Sequence, residues 1–334
     1  MGTVYITQED AFIAKVDERL NVKFDKKSIL DVPLIKVDGV VIMGRASISP
    51  MAISELINHK IPLTFLTQNG KYIARLEPEM SKNIFLRNAQ WKAAGESIQA
   101  IHVTKGFVRG KLKNYRYALL KVQRSYSDID ISQKLIELGN AIASLEHGKN
   151  IDSIRGYEGA GSAAYFGCFN QLIRNDNFSF KTRNRRPPVD SVNSLLSLGY
   201  SLLRHDIQGA LNIVGFDPYL GYLHTERYGR PSLALDLMEE FRPLIVDAVV
   251  LYAINKKILK PSDFITEPVS NAVSLTKEGL HSFLRLYQEK KLTKFKHPVL
   301  GIQKTYQESF EIQARLLGKY LMGEIEKYPP LVMK

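Results

Sequence analysis

Residues 232–243 read "SLALDLMEEFRP", and three carboxylates, Asp236, Glu239 and Glu240, crowd into five positions of this apolar run. His224 stands just upstream in "GYLHTERYGR". Pro231-Ser232 is a helix-start signal, which places Asp236 and Glu239 three residues apart on one face of a helix. Leu233, Leu237, Leu244 and Ile245 make the neighbourhood apolar. Two partly desolvated carboxylates repel, so one must take a proton or a cation must join them. A hard divalent ion such as magnesium or manganese suits oxygen donors. Arg227, Arg230 or Arg242 can equally supply the charge as ion pairs, and His224 can be a plain hydrogen-bonded residue; spacing leaves both open.

A third acid comes from "IDSIRGYEGAGSAAYFGCF", where Glu158 is surrounded by Gly156, Gly159, Ala160, Gly161, Ser162, Ala163 and Ala164. So little side-chain volume lets another helix approach and leaves the carboxylate reachable by a bulky substrate. An acid early in a helix also favours the helix dipole, which is the plainer reading. Tyr157 and Tyr165 flank it as packing residues or as surfaces for a ligand.

The elements that must carry these residues divide the chain in two. Residues 1–85 read as a small β-rich domain: "TVYITQ", "AFIAKV", "LNVKFD", "LIKVDGVVIMG" and "IPLTFLT" are short β-branched runs separated by turn residues. Asn69-Gly70 marks a hairpin, and "SPMAISELINHK" a helix with Ser47 or Ser49 as N-cap. Residues 86–334 read as a larger all-α domain, so the fold class is α+β. Its "RNDNFSFKTRNRRPPVD" segment breaks the helical pattern and is expected to be a mobile loop. Arg183, Arg185 and Arg186 there are candidate phosphate contacts, as are Arg227 and Arg230.

Net charge is +12, with hydrophobic residues at 45% and charged residues at 24%. Acids balance Lys and Arg over residues 1–80, so the whole surplus belongs to the second part and points to a polyanionic partner there. "NAQWKAAGESIQAIHVTKGFVRGKLKNYRYALLKVQRSY" interleaves Lys and Arg with Tyr and Trp, a composition that suits phosphates and stacked bases or an ordinary amphipathic helix. Cys168 is the single cysteine, which excludes intramolecular disulfides and fits a reducing cytoplasm. No apolar window is long enough to span a membrane, and the N-terminus lacks the features of a secretory signal.

"RGYEGAGSAAYF", "DSVNSLLSLGYSLL" and "GFDPYLGYLHTERYGRPSLALDLMEEFRP" together resemble the CRISPR-associated adaptation integrase family, whose members insert new spacers into CRISPR arrays. The resemblance covers nearly the whole chain. It implies a metal held by Glu158, His224 and Glu239, with Asp236 as an auxiliary acid in the catalytic group, and Mg2+ or Mn2+ as cofactor. It also implies a DNA endonuclease and integrase acting by transesterification on double-stranded DNA, incoming fragment and repeat alike. Homodimers joined through the N-terminal domain, and a small companion adaptation protein bridging them, are the implied partners. A structure-specific nuclease acting on branched DNA would use the same ligands, and a non-catalytic DNA-binding scaffold would use the acids as salt bridges.

Overall fold

A computed structural model of the chain describes residues 2–68, 70, 72–76, 83–95 and 97–333. The first strands are β1 (Gly2–Ile6), β2 (Ala11–Val16), β3 (Arg19–Phe24) and β4 (Lys27–Pro33). Asp25 and Lys26, at φ 47° and 61°, form a two-residue turn between β3 and β4. That geometry matches the right-handed twist of the paired strands. β5 (Val37–Met43), β6 (Ala46–Ile48), helix α1 (Pro50–Asn58), β7 (Leu63–Leu66) and β8 (Tyr72–Leu76) follow. They build two four-stranded sheets, ordered β1-β5-β7-β8 and β4-β3-β2-β6.

Ile6, Ile13, Leu20, Val22, Val40, Ile42 and Leu56 fill one small core between these elements. Ser49 is the cap of α1, its Oγ accepting from Ala52 N at 3.2 Å. β4 leaves no clear signal in the sequence because it is an edge strand with five exposed residues, so its side chains show no inward-outward alternation. Asn69 of the expected hairpin lies outside the described residues; β7 and β8 on either side pair antiparallel.

The second part contains α2 (Ile84–Gly95), α3 (Ser97–Ser125), α4 (Ser132–Glu146), α5 (Ile151–Gly167), α6 (Ser191–Val214) and α7 (Ser232–Leu237). A 3-10 turn (Met238–Glu240) and a π turn (Pro243–Asp247) then lead into α8 (Ala248–Asn255). The expected single helix through Asp236 and Glu239 is therefore broken after Leu237. Pro243 contributes to the break, because it cannot donate the amide hydrogen bond that a continuing helix requires.

Next come a hairpin of β9 (Phe264–Thr266) and β10 (Val273–Leu275), then α9 (Lys277–Leu292). A hairpin of β11 (Lys294–Lys296) and β12 (Gln303–Thr305) leads into α10 (Tyr306–Leu321). The expected all-α domain thus carries two short hairpins, each with strands too brief to leave a period in the sequence.

Helix α6 runs through the middle of the larger core. Asp190 caps its start, accepting from Asn193 N at 2.8 Å, and Gly215 at φ 108° ends it in the left-handed conformation only glycine adopts freely. Gly161 on α5 lets that helix approach α3: a Cβ there would lie 2.3 Å from Leu112 Cδ2. Phe178 and Phe180 bury their rings, and Asn175 Nδ2 donates to Ile254 O at 3.0 Å. The segment expected to be a mobile loop is thereby pinned to the core. Cys168 is buried, and burial pushes its thiol up to about 11.

The β-rich part meets α6 and α9 through apolar side chains, Met43 and Leu66 joining the larger core, and through polar contacts. The Lys291 ammonium, with no exposed surface, reaches Asp206 at 2.9 Å and donates to Thr3 Oγ1 at 3.2 Å. Arg75 donates to His205 O at 2.9 Å, and the Tyr72 ring stacks on the His205 ring at 5.0 Å.

Candidate active site

A cleft of about 690 Å³ opens between α3, α5, the 181–185 segment and the loop before α7. Glu158, His224 and Glu239 all line it. Three non-adjacent stretches of sequence therefore meet at one place, as the resemblance implied.

Asp236 organises the loop that carries the histidine. Its carboxylate accepts from the backbone N–H groups of Tyr222 (2.6 Å), Leu223 (2.9 Å) and His224 (3.0 Å). It also accepts from His224 Nδ1 at 2.6 Å. Because a carboxylate only accepts, this network assigns the ring proton to Nδ1 and leaves the Nε2 lone pair for the cleft. Gly221 makes room for the wrap, since a Cβ there would stand 2.8 Å from Asp236 Oδ2. Asp236 was expected in the catalytic group, either as a supporting acid behind the site or as an auxiliary ligand, and the supporting place is where it lies. It is fully buried with both oxygens committed to the loop, so it positions His224 rather than facing the cleft.

His224 Nε2 stands 4.0 Å from Glu239 Oε1. Glu239 also meets two cations: Arg242 at 3.0 Å on Oε1 and Lys111 at 2.8 Å on Oε2. Burial pushes the Glu239 carboxyl up, but Arg242, Lys111 and His224 together outweigh it and hold it below the usual carboxylate range. The Lys111 ammonium, 4% exposed, contacts Glu158 as well. Ser162 Oγ donates to Glu158 Oε1 at 2.8 Å from one turn along α5. Lys111 was not anticipated: it sits on α3, far from either acid in sequence, and only the close approach at Gly161 brings it between them.

Two carboxylates are the donors that magnesium or manganese takes, and an imidazole nitrogen beside them suits the softer manganese better than magnesium. Glu158 and Glu239 already share one cation, and the imidazole has its proton on the far nitrogen. The residues therefore fit a divalent ion. In the present arrangement they do not bring one ligand atom each within 4.8 Å of the others, because the ammonium holds the two acids about itself. Among the described residues, Glu18, Glu55 and His59 meet that spacing, but they lie on the surface of the β-rich part, with Glu18 and His59 exposed, and do not line the cleft.

The other acids nearby face elsewhere. Glu240 points away from the cleft, accepting from Tyr328 OH (2.5 Å), Leu331 N (2.7 Å) and Gln313 Nε2 (2.9 Å), and so anchors the C-terminal segment. Burial pushes its carboxyl up to about 8. Asp247, raised to about 6 by burial, accepts from Tyr200 OH at 2.6 Å beneath the cleft floor. Tyr165 is buried too, stacked on Tyr115 at 3.8 Å.

The arginine candidates separate. Arg185 and Arg230 line the cleft, together with Lys181. Arg183 lines it but donates to the Asn184 carbonyl, to Asn193 Oδ1 at 2.7 Å and to Ser197 Oγ at 3.0 Å. It ties its loop to α6, and its guanidinium is not free for phosphate. Arg186 and Arg227 are exposed and lie outside the cleft lining. Arg155, which the sequence did not single out, donates to Leu223 O at 2.8 Å and braces the His224 loop against α5.

Comparison with known proteins agrees with this architecture. The family described as CRISPR associated protein Cas1 matches residues 4–289. A CRISPR-associated endonuclease Cas1 of Chlorobaculum tepidum is 35% identical over 100% of this chain and 99% of its own. One from Thermus thermophilus is 36% identical over 100% and 98%. Among solved structures, a casposase bound to integration product superposes with a TM-score of 0.86 at 24% identity, over 100% of this chain and 95% of that one. A CAS1 protein from Thermotoga maritima gives 0.80 at 22% identity over 97% of each. Matched along nearly its full length by the family and by these relatives, the chain belongs to the Cas1 family of CRISPR-associated proteins.

Proposed function

We propose that this protein is a divalent-metal-dependent DNA endonuclease and integrase of CRISPR adaptation, with Glu158, His224 and Glu239 as its metal-holding residues. The observation that carries the reading is the convergence of these three side chains in one cleft, the two acids about one buried ammonium and His224 Nε2 4.0 Å from Glu239, with Lys181, Arg185 and Arg230 along the edge.

In the proposed reaction the 3′-oxygen of an incoming fragment bonds to phosphorus at the repeat border, and the bond from that phosphorus to the repeat strand's own 3′-oxygen breaks. One phosphodiester replaces another, so no outside energy source is needed and the step runs in both directions. Magnesium or manganese, when bound, supplies Lewis-acid stabilisation of charge on the oxygens about phosphorus. Glu158 and Glu239 supply the negative charge that holds the ion. Asp236 keeps His224 in the tautomer that presents the Nε2 lone pair. Arg185 and Arg230 neutralise phosphates on either side of the scissile one.

The named partners follow from the same reading: double-stranded DNA, a second copy of the chain docked through the β-rich domain, and a small companion Cas protein. A solved relative described as a Cas6-RT-Cas1–Cas2 complex, with a TM-score of 0.81, is consistent with such an assembly. The test is a branched DNA that mimics a half-inserted fragment, incubated with manganese or with EDTA. Rejoined strands that vanish with EDTA support the integrase. Released strands without rejoining would instead favour a branched-DNA nuclease.

A further inference from the structure

Helix α3 carries seven Lys and Arg residues and no Asp or Glu. Three of the seven have partners: Lys105 donates to the Glu146 carbonyl, Arg109 pairs with the Glu146 carboxylate, and Lys111 serves the cleft. Lys113, Arg116, Lys121 and Arg124 are exposed, and among the described residues no carboxylate lies within ion-pair distance of them. At 100° per residue these four and Tyr117 share one side of the helix, whereas Lys111 and Tyr115 occupy the opposite side.

The cationic surface continues beyond α3. Lys290, at the end of α9, lies 4.9 Å from the Tyr306 ring centroid, and Phe295 of β11 stacks on that ring at 4.5 Å. Burial and then the charge of Lys121 lower the Lys290 ammonium to about 8. Glu308, two residues past Tyr306, is taken by Lys304 and Thr305. Like charges gathered without counter-charge repel one another, and a polyanion removes that cost.

We infer that this ridge of α3, extended by Lys290, is a second binding track for the backbone of double-stranded DNA, on the opposite side of α3 from the cleft. The ridge offers cations and Tyr117 rather than the apolar centre a protein interface needs. At a rise of about 1.5 Å per residue, Lys113 to Arg124 spans about 16 Å. Duplex DNA presents one charge per about 1.7 Å of its axis, which suits a row of cations of that length. A chain that joins two DNA segments has use for two such surfaces. The inference takes from the proposed function only the identity of the polyanion.

The experiment measures affinity of the full-length protein for a labelled duplex of about 30 base pairs, in EDTA, across a salt series. Wild type is compared with the combined variant Lys113→Gln, Arg116→Gln, Lys121→Gln, Arg124→Gln, and with the pair Lys121→Gln, Arg124→Gln should the larger set fail to fold. Each lost phosphate contact lowers the slope of log affinity against log salt by about 0.9. A fall of one or more, reaching about 3.6 when all four engage, is the expected result. A fall of less than one in a folded variant overturns the track. Should wild type rejoin no branched DNA while the slope still depends on the ridge, the integrase reading falls and the track stands. Rejoining with a slope indifferent to the ridge removes the track and leaves the integrase standing.

Discussion

The Lys111 ammonium lies 2.8 Å from Glu239 Oε2 and also touches Glu158, so a single buried cation joins two acids carried by separate elements. It stands between the acids that are proposed to hold the divalent ion. Removing it leaves Glu158 without its cation and Glu239 with Arg242 alone, 3.0 Å away.

Lys111→Met should therefore destabilise the protein by about 3 kcal/mol in EDTA, the low end for breaking a buried ion pair, since Arg242 stays with Glu239. Manganese should restore more stability to the variant than it adds to wild type, because the ion replaces the missing charge. Thermal unfolding with and without manganese checks both, and an equal manganese effect in the two proteins would count against a shared locus.

Asp236 and His224 should differ in kind. Asp236→Ala removes the acceptor for three backbone amides and one imidazole, so it should cost about 3 kcal/mol or more and lower activity by misplacing the ring. His224→Ala should abolish strand joining while shifting stability by about 1 kcal/mol or less, since its ring is partly exposed. Paired melting curves and joining assays separate the two roles.

Arg183 and Arg185, two residues apart, should also part company. Arg183→Ala breaks the bonds that hold its loop to α6 and should lower stability by about 1–2 kcal/mol. Arg185→Ala should leave stability unchanged and weaken DNA affinity, with a shallower salt dependence. Unfolding and binding measured on both variants decide it.

His205 sets an acid limit. Burial, then Arg204 and Arg75, lower its pKa to about 3. Between that value and about 6.5 the unfolded chain binds the extra proton, so stability rises with pH across the window and is lost as pH falls through it. Each pH unit below 6.5 should cost up to about 1.4 kcal/mol. His205→Gln should flatten the dependence. Melting at pH 5 and pH 7.5 reads the difference, and equal slopes in both proteins would rule out His205 as the group responsible.

Much of this was legible in the residues. The switch from β-branched runs to helical period marked the β-rich start and the helical part that follows, and Ser49 with Pro50 marked α1. The family resemblance named all three side chains that meet in the cleft, Glu158, His224 and Glu239. What the sequence hid depends on three-dimensional approach. Lys111 looks like one more cation on a basic helix until Gly161 brings α5 against α3. Arg183 looks like Arg185 until the two phenylalanines pin their loop and turn its guanidinium onto α6. Spacing alone treats Glu239 and Glu240 alike, and only the resemblance picked Glu239; the 3-10 turn that sends them to opposite sides was not foreseen.

That last contrast gives the most direct test. Rejoining of a branched DNA in manganese should be measured for wild type, Glu239→Gln and Glu240→Gln, well below their melting temperatures. Losing a carboxylate that holds the ion is worth about 3 kcal/mol, so Glu239→Gln should rejoin at least about 100-fold more slowly. Glu240→Gln, with its side chain turned to Tyr328 and Leu331, should stay within about 5-fold of wild type. Equal losses in both variants, or full activity in Glu239→Gln, would contradict the assignment of the metal-holding site.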